Sequence, residues 1–220
     1  MKTFNELQEG VYDPNILKAF FLAGGPGSGK SYVVRRTTGG LGLKIVNSDN
    51  AFEKLLRDAG LSLKMPPEEE EPRDVARTKA KVITKKQQKN YIEGRLGLII
   101  DGTGKDYDKS AKQAVELKQL GYDVHMIFVN TSLDTALKRN AERPRSVQEP
   151  IVVKSWKSVQ SNIGKFSQYF RQNFVVVDNN DAGEDVFNKV FKQIKGLANK
   201  KPTSRIAMAW IANELEKKKR

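Results

Sequence analysis

The run Gly24-Gly25-Pro26-Gly27-Ser28-Gly29-Lys30-Ser31 constrains this chain more than any other segment. A stretch so rich in glycine cannot continue a strand or a helix, so one element must end before it and another begin after it. The residues ahead of it, Lys-Ala-Phe-Phe-Leu-Ala (18–23), read as a buried strand, and those after it, Ser-Tyr-Val-Val-Arg-Arg, open a helix. In that setting the spacing G-x-x-x-x-G-K-[ST] has a chemical meaning. Glycines let backbone N–H groups wrap phosphate oxygens, and Lys30 brings a cation to the β- and γ-phosphates. Ser31 offers a hydroxyl to Mg²⁺, and the helix N-terminus adds its positive dipole end. Gly25, Pro26, Gly27, Ser28, Gly29, Lys30, Ser31 and the adjoining Tyr32 are therefore expected to contact a nucleotide.

The remaining pattern alternates short apolar runs with helical stretches, the signature of an α/β fold with a mainly parallel sheet. Strands are expected at 18–23, 43–47, 96–101, 124–130 and 174–178. Their near-continuous apolar character suits a sheet covered by helices on both faces. Helices are expected at 30–37, 50–59, 72–94, 109–120, 132–143, 151–171, 185–198 and 204–219. In the sixth, Val152, Trp156, Val159, Ile163, Phe166 and Phe170 step by four and three, which predicts one buried core stripe. Residues 64–73 (KMPPEEEEPR) hold three prolines and four consecutive glutamates and predict a loop or insertion. A second break at 199–203 (NKKPT) predicts a detached C-terminal helix ending in KKKR.

Three further groups bear on chemistry. Asp49 follows the second strand and so lies at the carboxyl edge of the sheet with the glycine-rich loop. There it can accept a proton from an acceptor hydroxyl, although Ser48 and Asp49 are also good helix caps. Asp101 ends the third strand, where a carboxylate can join Ser31 in the Mg²⁺ shell; an Asx turn is the plainer alternative. After the fourth strand, Thr131 and Asp134 have the spacing of a capping-box variant. The helix they open carries Arg139 and Arg143 on one face, with Arg145 just beyond it. These arginines are expected to form a lid that neutralises phosphate charge in the transition state. His125, inside the fourth strand, reads as packing.

Composition narrows the classes of function. The 220 residues carry 39 Lys plus Arg against 26 Asp plus Glu, a formal charge of +13. That surplus favours a polyanionic partner. Arg77, Lys81, Lys85 and Lys89 recur every four residues and form a slowly spiralling helical stripe suited to nucleic-acid phosphates. The absence of cysteine excludes disulfides, thiolate metal sites and a thiol nucleophile, and a single histidine makes a Ser-His-Asp triad improbable. No apolar run is long enough to span a bilayer, and the first ten residues lack a secretory core, so a cytoplasmic protein with no membrane association is expected.

The wording GGPGSGKS after a strand, NSD after the second, DGT after the third and Arg-x-x-x-Arg in the lid resembles P-loop kinases of the zeta-toxin and polynucleotide-kinase group. It is similar in detail to phage-encoded kinases, among them kinases of hydroxymethyluracil in DNA. The resemblance covers roughly residues 18–178. It implies a kinase-type P-loop fold with a five-stranded parallel sheet in the order 2-3-1-4-5, MgATP as donor and a hydroxyl as acceptor. It further implies Lys30 and Ser31 as phosphate and Mg²⁺ ligands, Asp49 as the base, and Arg139 and Arg143 as lid arginines. The kinase domain would then occupy 1–198, with an insertion at 61–94 and a lid at about 139–150, followed by a basic helix at 199–220. One departure concerns the acceptor. Polynucleotide 5′-end kinases usually carry an arginine soon after the base aspartate, where this chain has Asn50, Ala51 and Phe52. Zeta toxins act on a nucleotide sugar, and no residue here identifies that pocket. Three functions stay open: a kinase of a hydroxyl on nucleic acid, a kinase of a small metabolite, nucleoside or nucleotide sugar, and an NTP-binding regulator without an acceptor. Asn179 and Asn180, after the last strand, are candidates for adenine contact by position.

Overall fold

A computed structural model describes residues 11–64, 66–143 and 146–219. Five parallel strands form one sheet: β1 (Lys18–Ala23), β2 (Lys44–Val46), β3 (Leu98–Ile100), β4 (Asp123–Asn130) and β5 (Phe174–Asp178). Their order is β2-β3-β1-β4-β5, the order the resemblance implied, with β1 and its glycine-rich loop at the centre.

Alternation along each strand builds two separate cores. Ala19, Phe21 and Ala23 of β1 point to one face, with Val124, Met126 and Phe128 of β4. That face is covered by α4 (Tyr107–Gln119), α6 (Glu149–Phe170) and α8 (Arg205–Lys217). Phe20, Leu22, Ile127 and Val129 point the other way, beneath α1 (Lys30–Thr38) and α7 (Glu184–Asn199). A third, small cluster joins α2 (Ser48–Asp58) to α3 (Glu70–Glu93) through Phe52, Leu56, Ala76 and Ala80. The fifth helix, α5 (Leu133–Ala141), leads from β4 towards α6.

Several sequence expectations need correcting. Helix α2 is capped by Asn47, whose side chain accepts the Asp49 N–H at 2.6 Å, rather than by Ser48 or Asp49. Helix α5 is capped by Ser132, not Thr131, through the Thr135 N–H. The acidic run is largely helical. A 3-10 turn, Pro67–Glu69, passes into α3, and Glu70 and Glu71 sit in the first turn of α3, where the helix dipole favours negative charge. Pro72 is tolerated so near a helix start because the first N–H groups have no intrahelical acceptor. The break at 199–203 does not detach α8: Ala207 is fully buried against Gly121, and Trp210 and Ile211 pack on the first core. In α6, Trp156 and Ile163 are only half-buried, and Ser155 and Asn162 are buried in the same helix.

His125 lies in the core as expected, stacked on Phe20 with ring centroids 4.8 Å apart. Neither ring nitrogen has a hydrogen-bond partner within the protein. Burial, reinforced by the nearby Lys18 ammonium, pushes the imidazole down to about 4. Above an ordinary histidine pKa of about 6.5 the folded and unfolded chains are both neutral there. Between about 6.5 and about 4 only the unfolded chain binds the proton, so stability falls with pH by up to about 3 kcal/mol. His125→Phe should remove that component. Urea denaturation is expected to show the variant gaining on the parent as pH drops from 7 to 4.5, and parallel pH curves would refute this.

Candidate active site

The loop after β1 is held from several sides. The Gly24 N–H donates to Thr103 O at 2.8 Å, tying the loop to the turn after β3. Gly27 has φ +77°, and a Cβ there would lie 2.0 Å from the Ala136 carbonyl of α5. Gly29 has φ +81°, and a Cβ there would meet the Asn179 amide at 2.4 Å. Gly25 packs beside the backbone of Trp156, whose indole N–H donates to Thr131 O at 2.8 Å. Trp156 thus braces the loop rather than filling the core. Gly29 also caps α1 without any side-chain hydrogen bond, so the helix N-terminus is left to the loop's ligand.

A cleft of about 320 Å³ opens over this loop. Gly25, Pro26, Gly27, Gly29, Lys30, Ser31, Asp49, Asp101 and Arg143 all line it. Lys30 Nζ donates to Gly24 O at 2.6 Å and to Gly25 O at 3.3 Å. Burial holds its ammonium below the usual lysine value, and Arg143 adds to that, while Asp101 and Asp49 oppose it. Burial likewise pushes the Asp101 carboxyl up, against the pull of Lys30. Asn47 meets this carboxylate too, its Nδ2 donating to Asp101 Oδ2 at 2.6 Å. One asparagine therefore caps α2 and joins the ends of β2 and β3.

Asp49 occupies the first turn of α2 with its carboxylate outside the cap, 3.9 Å from Arg77 Nη1. Arg77 also lies over the Phe52 ring, 3.8 Å from its centroid. A guanidinium therefore does stand beside Asp49, but it arrives from α3 instead of from the residues that follow the aspartate. The stripe on α3 consequently divides. Arg77 belongs to the cleft, Lys81 and Lys85 line the adjoining hollow, and Lys89 lies outside both, 3.8 Å from Glu93.

Other candidates lie elsewhere. Arg139 is outside the cleft lining; its guanidinium donates to Asn179 O at 2.6 Å and Asn180 O at 2.7 Å, fastening the loop after β5. Asn179 donates to Ser28 O at 2.8 Å, and Asn180 accepts the Ser132 N–H at 2.7 Å, so both asparagines serve the framework. Ser28 is buried, and Tyr32 packs edge-on against Phe187 of α7 at 5.3 Å, away from the cleft. Arg145 lies outside the described residues. Asn140, which the sequence gave no reason to single out, bonds both ways to Val147, at 2.7 and 3.1 Å, and closes the base of the segment carrying Arg143.

The zeta-toxin family model matches residues 13–190. No curated protein matches the chain. Among solved structures, a gluconokinase from Sinorhizobium meliloti 1021 is 13% identical with a TM-score of 0.52, over 83% of this chain and 94% of that one. A chain in the structure of the Pnkp1/Rnl/Hen1 RNA repair complex is 17% identical with a TM-score of 0.52, over 74% of this chain and 49% of that one. At such identities the likeness is one of fold.

Because burial raises the Asp101 pKa, its ionised form opposes folding: the contribution is most favourable at low pH and declines as pH rises and the carboxyl ionises. Asp101→Asn should therefore raise the melting temperature of the nucleotide-free protein at pH 7 and raise it less near pH 4. An equal gain at both, or a loss at pH 7, would contradict this.

Proposed function

The chain belongs to the zeta-toxin family and is an ATP-dependent phosphotransferase; we propose that its acceptor is a hydroxyl carried by nucleic acid, on a hydroxymethylated base or at a strand end. The supporting observation is the meeting of Lys30, Asp49, Asp101 and Arg143 in one cleft that runs into the lysine-lined side of α3. On this reading the amides of residues 25–31 and the Lys30 ammonium grip the triphosphate. Asp49 accepts the proton of the acceptor hydroxyl as its oxygen attacks the γ-phosphorus. The new O–P bond forms, the bond from the γ-phosphorus to the β–γ bridging oxygen breaks, and ADP leaves. Arg143 and Lys30 face the charge that spreads over the phosphoryl oxygens. Arg77, 3.9 Å away, orients the Asp49 carboxylate.

Ser31 and Asp101 supply the hard oxygen donors that suit Mg²⁺, an ion usually held by one or two protein groups plus phosphates and water. No group of three or more His, Cys, Asp or Glu that could hold a metal ion occurs among the described residues. Bound there, the ion would neutralise phosphate charge. No helix among the described residues is long and apolar enough to cross a membrane.

Two measurements test the proposal. With γ-labelled ATP offered to hydroxymethylated DNA, 5′-hydroxyl oligonucleotides, nucleosides and nucleotide sugars, label should enter the nucleic acids. Label confined to the small molecules would exclude a nucleic-acid acceptor. Asp49→Asn should leave ATP affinity and melting temperature close to the parent's while cutting turnover at least ~100-fold. Near-parental turnover would reduce Asp49 to its place in the helix.

A further inference from the structure

Beside the transfer cleft lies a second hollow of about 350 Å³ whose lining shares Ser48, Asp101, Gly102 and Thr103 with it. The two spaces are therefore continuous at the residue next to Asp49. From this hollow we infer that the acceptor strand is gripped between two cationic walls, Lys81 and Lys85 of α3 on one side and Lys105 and Lys109 on the other, with one nucleotide unit seated between them. The inference rests on the nucleic-acid reading above and adds to it the opposite wall and the size of what enters.

The sequence stripe contained only half of this arrangement. Lys105 follows the turn after β3, and Lys109 lies in the first turn of α4, 20 or more positions from Lys81 and Lys85. The fold turns these distant lysines onto one space. None of the four lysines is paired with a carboxylate among the described residues. The lining holds two acids: Asp101, already engaged by Asn47, and Asp106, which accepts the Lys109 N–H at 3.0 Å as the cap of α4. A hollow with four cations and two committed carboxylates attracts an anion.

The wall bearing Lys105 is fixed in place. Thr103 O holds the Gly24 N–H, and the buried Asn162 of α6 donates to Gly104 O at 3.1 Å and Lys105 O at 3.0 Å. Gly104 has φ +75°, and a Cβ there would lie 2.6 Å from that of Ala23. The position of Lys105 relative to the donor loop is thus set by backbone contacts. This explains a buried asparagine on a helix face otherwise given to Val159, Phe166 and Phe170.

Size and lining define the ligand. A space of about 350 Å³ is near the lower end of small-ligand pockets and admits one nucleotide, not a stacked duplex. A hydroxyl on a base must therefore leave the helix stack to reach Asp49, as in enzymes that extrude their target base. Among the described residues the one aromatic in the lining, Phe21, is buried in the core, so grip comes from phosphate contacts instead of stacking.

The test is fluorescence anisotropy of a labelled 12-nucleotide single-stranded DNA with the full chain, over a range of salt. Lys105→Gln/Lys109→Gln and Lys81→Gln/Lys85→Gln should each weaken binding at least ~10-fold. Each should also lower the slope of log affinity against log salt by about 1.4, the value for two single-strand phosphate contacts. Lys89→Gln should stay within about twofold of the parent, and a blunt duplex should bind at least ~10-fold more weakly than the single strand. Nucleotide affinity, measured in parallel, reports whether each variant is folded. Loss confined to Lys81→Gln/Lys85→Gln would overturn the second wall while leaving a nucleic-acid acceptor standing. Equal affinity for the duplex would overturn single-unit entry. If no oligonucleotide binds but uridine monophosphate does, in a manner dependent on Lys105 and Lys109, the two walls hold and the nucleic-acid acceptor fails. Binding of neither overturns both.

Discussion

The close approach of other backbone to the loop at Gly24–Ser31 is the constraint on which the site depends. A Cβ at Gly27 would meet the carbonyl of α5, and a Cβ at Gly29 would meet the amide of Asn179. These contacts seat α5 and the loop after β5 directly against the phosphate-binding turn. Two of the arginines expected to act together are separated as a result. Arg139 is drawn into the Asn179 and Asn180 carbonyls, and Arg143, four residues on, reaches the cleft. Glycine here fixes the spacing between the loop and the elements that surround it, in addition to permitting the turn.

Charge in the cleft alternates around that loop. Lys30, Asp101, Asp49, Arg143 and Arg77 line one cleft, and burial makes the ionised forms of Lys30 and Asp101 unfavourable. The opposite directions of the Lys30 and Asp101 shifts have one origin, removal from water. A polyphosphate entering this cleft would bring negative charge to Lys30 and Arg143. A cation entering with it would bring positive charge to Asp101. The burial of Lys30 and Asp101 is thus of a kind that ligands of opposite charge would offset, which ties affinity to the same burial that lowers stability.

Much of this was legible in the sequence because the decisive signals are local. A glycine-rich turn between an apolar run and a helix start locates β1, α1 and the donor cleft, and parallel strands buried on both faces announce themselves as unbroken apolar runs. The ends of β2 and β3 placed Asp49 and Asp101 on the same edge. What escaped depends on contacts between distant positions. Asn47 looked like the last residue of a strand, although an Asn-Ser-Asp sequence at a strand-to-helix turn allows three different caps and only the backbone path chooses among them. Arg77 looked like one lysine-like step in a stripe, because nothing in a spacing of four tells which member meets another helix. Trp156 fitted a core stripe by periodicity, yet the loop it braces occupies the place where core would otherwise be.

The two sides of the site rest on foundations of different weight. The donor loop and the turn bearing Lys105 are built on β1, β3 and α6, whose side chains belong to the main cores of the sheet. Helix α3 has 24 residues but fully buries only Ala76, Ala80 and Thr84; it meets α2 through the small cluster around Phe52 and Leu56, and its last turn alone reaches the first core, through the half-buried Tyr91 and Ile92. Alanine and threonine contribute little apolar area each, so this pair of helices is held less firmly than the sheet at about 25 cal/mol per Å² of buried surface. Low local stability of this kind is what an opening element needs, since free energies of local unfolding track buried apolar contact. Lys81, Lys85 and Arg77 stand on this lighter support, whereas Lys30 and Lys105 do not. On the proposed reading, the α2–α3 side, which carries Asp49, is therefore the side of the cleft expected to yield to an entering strand, against a glycine-rich loop anchored in the sheet.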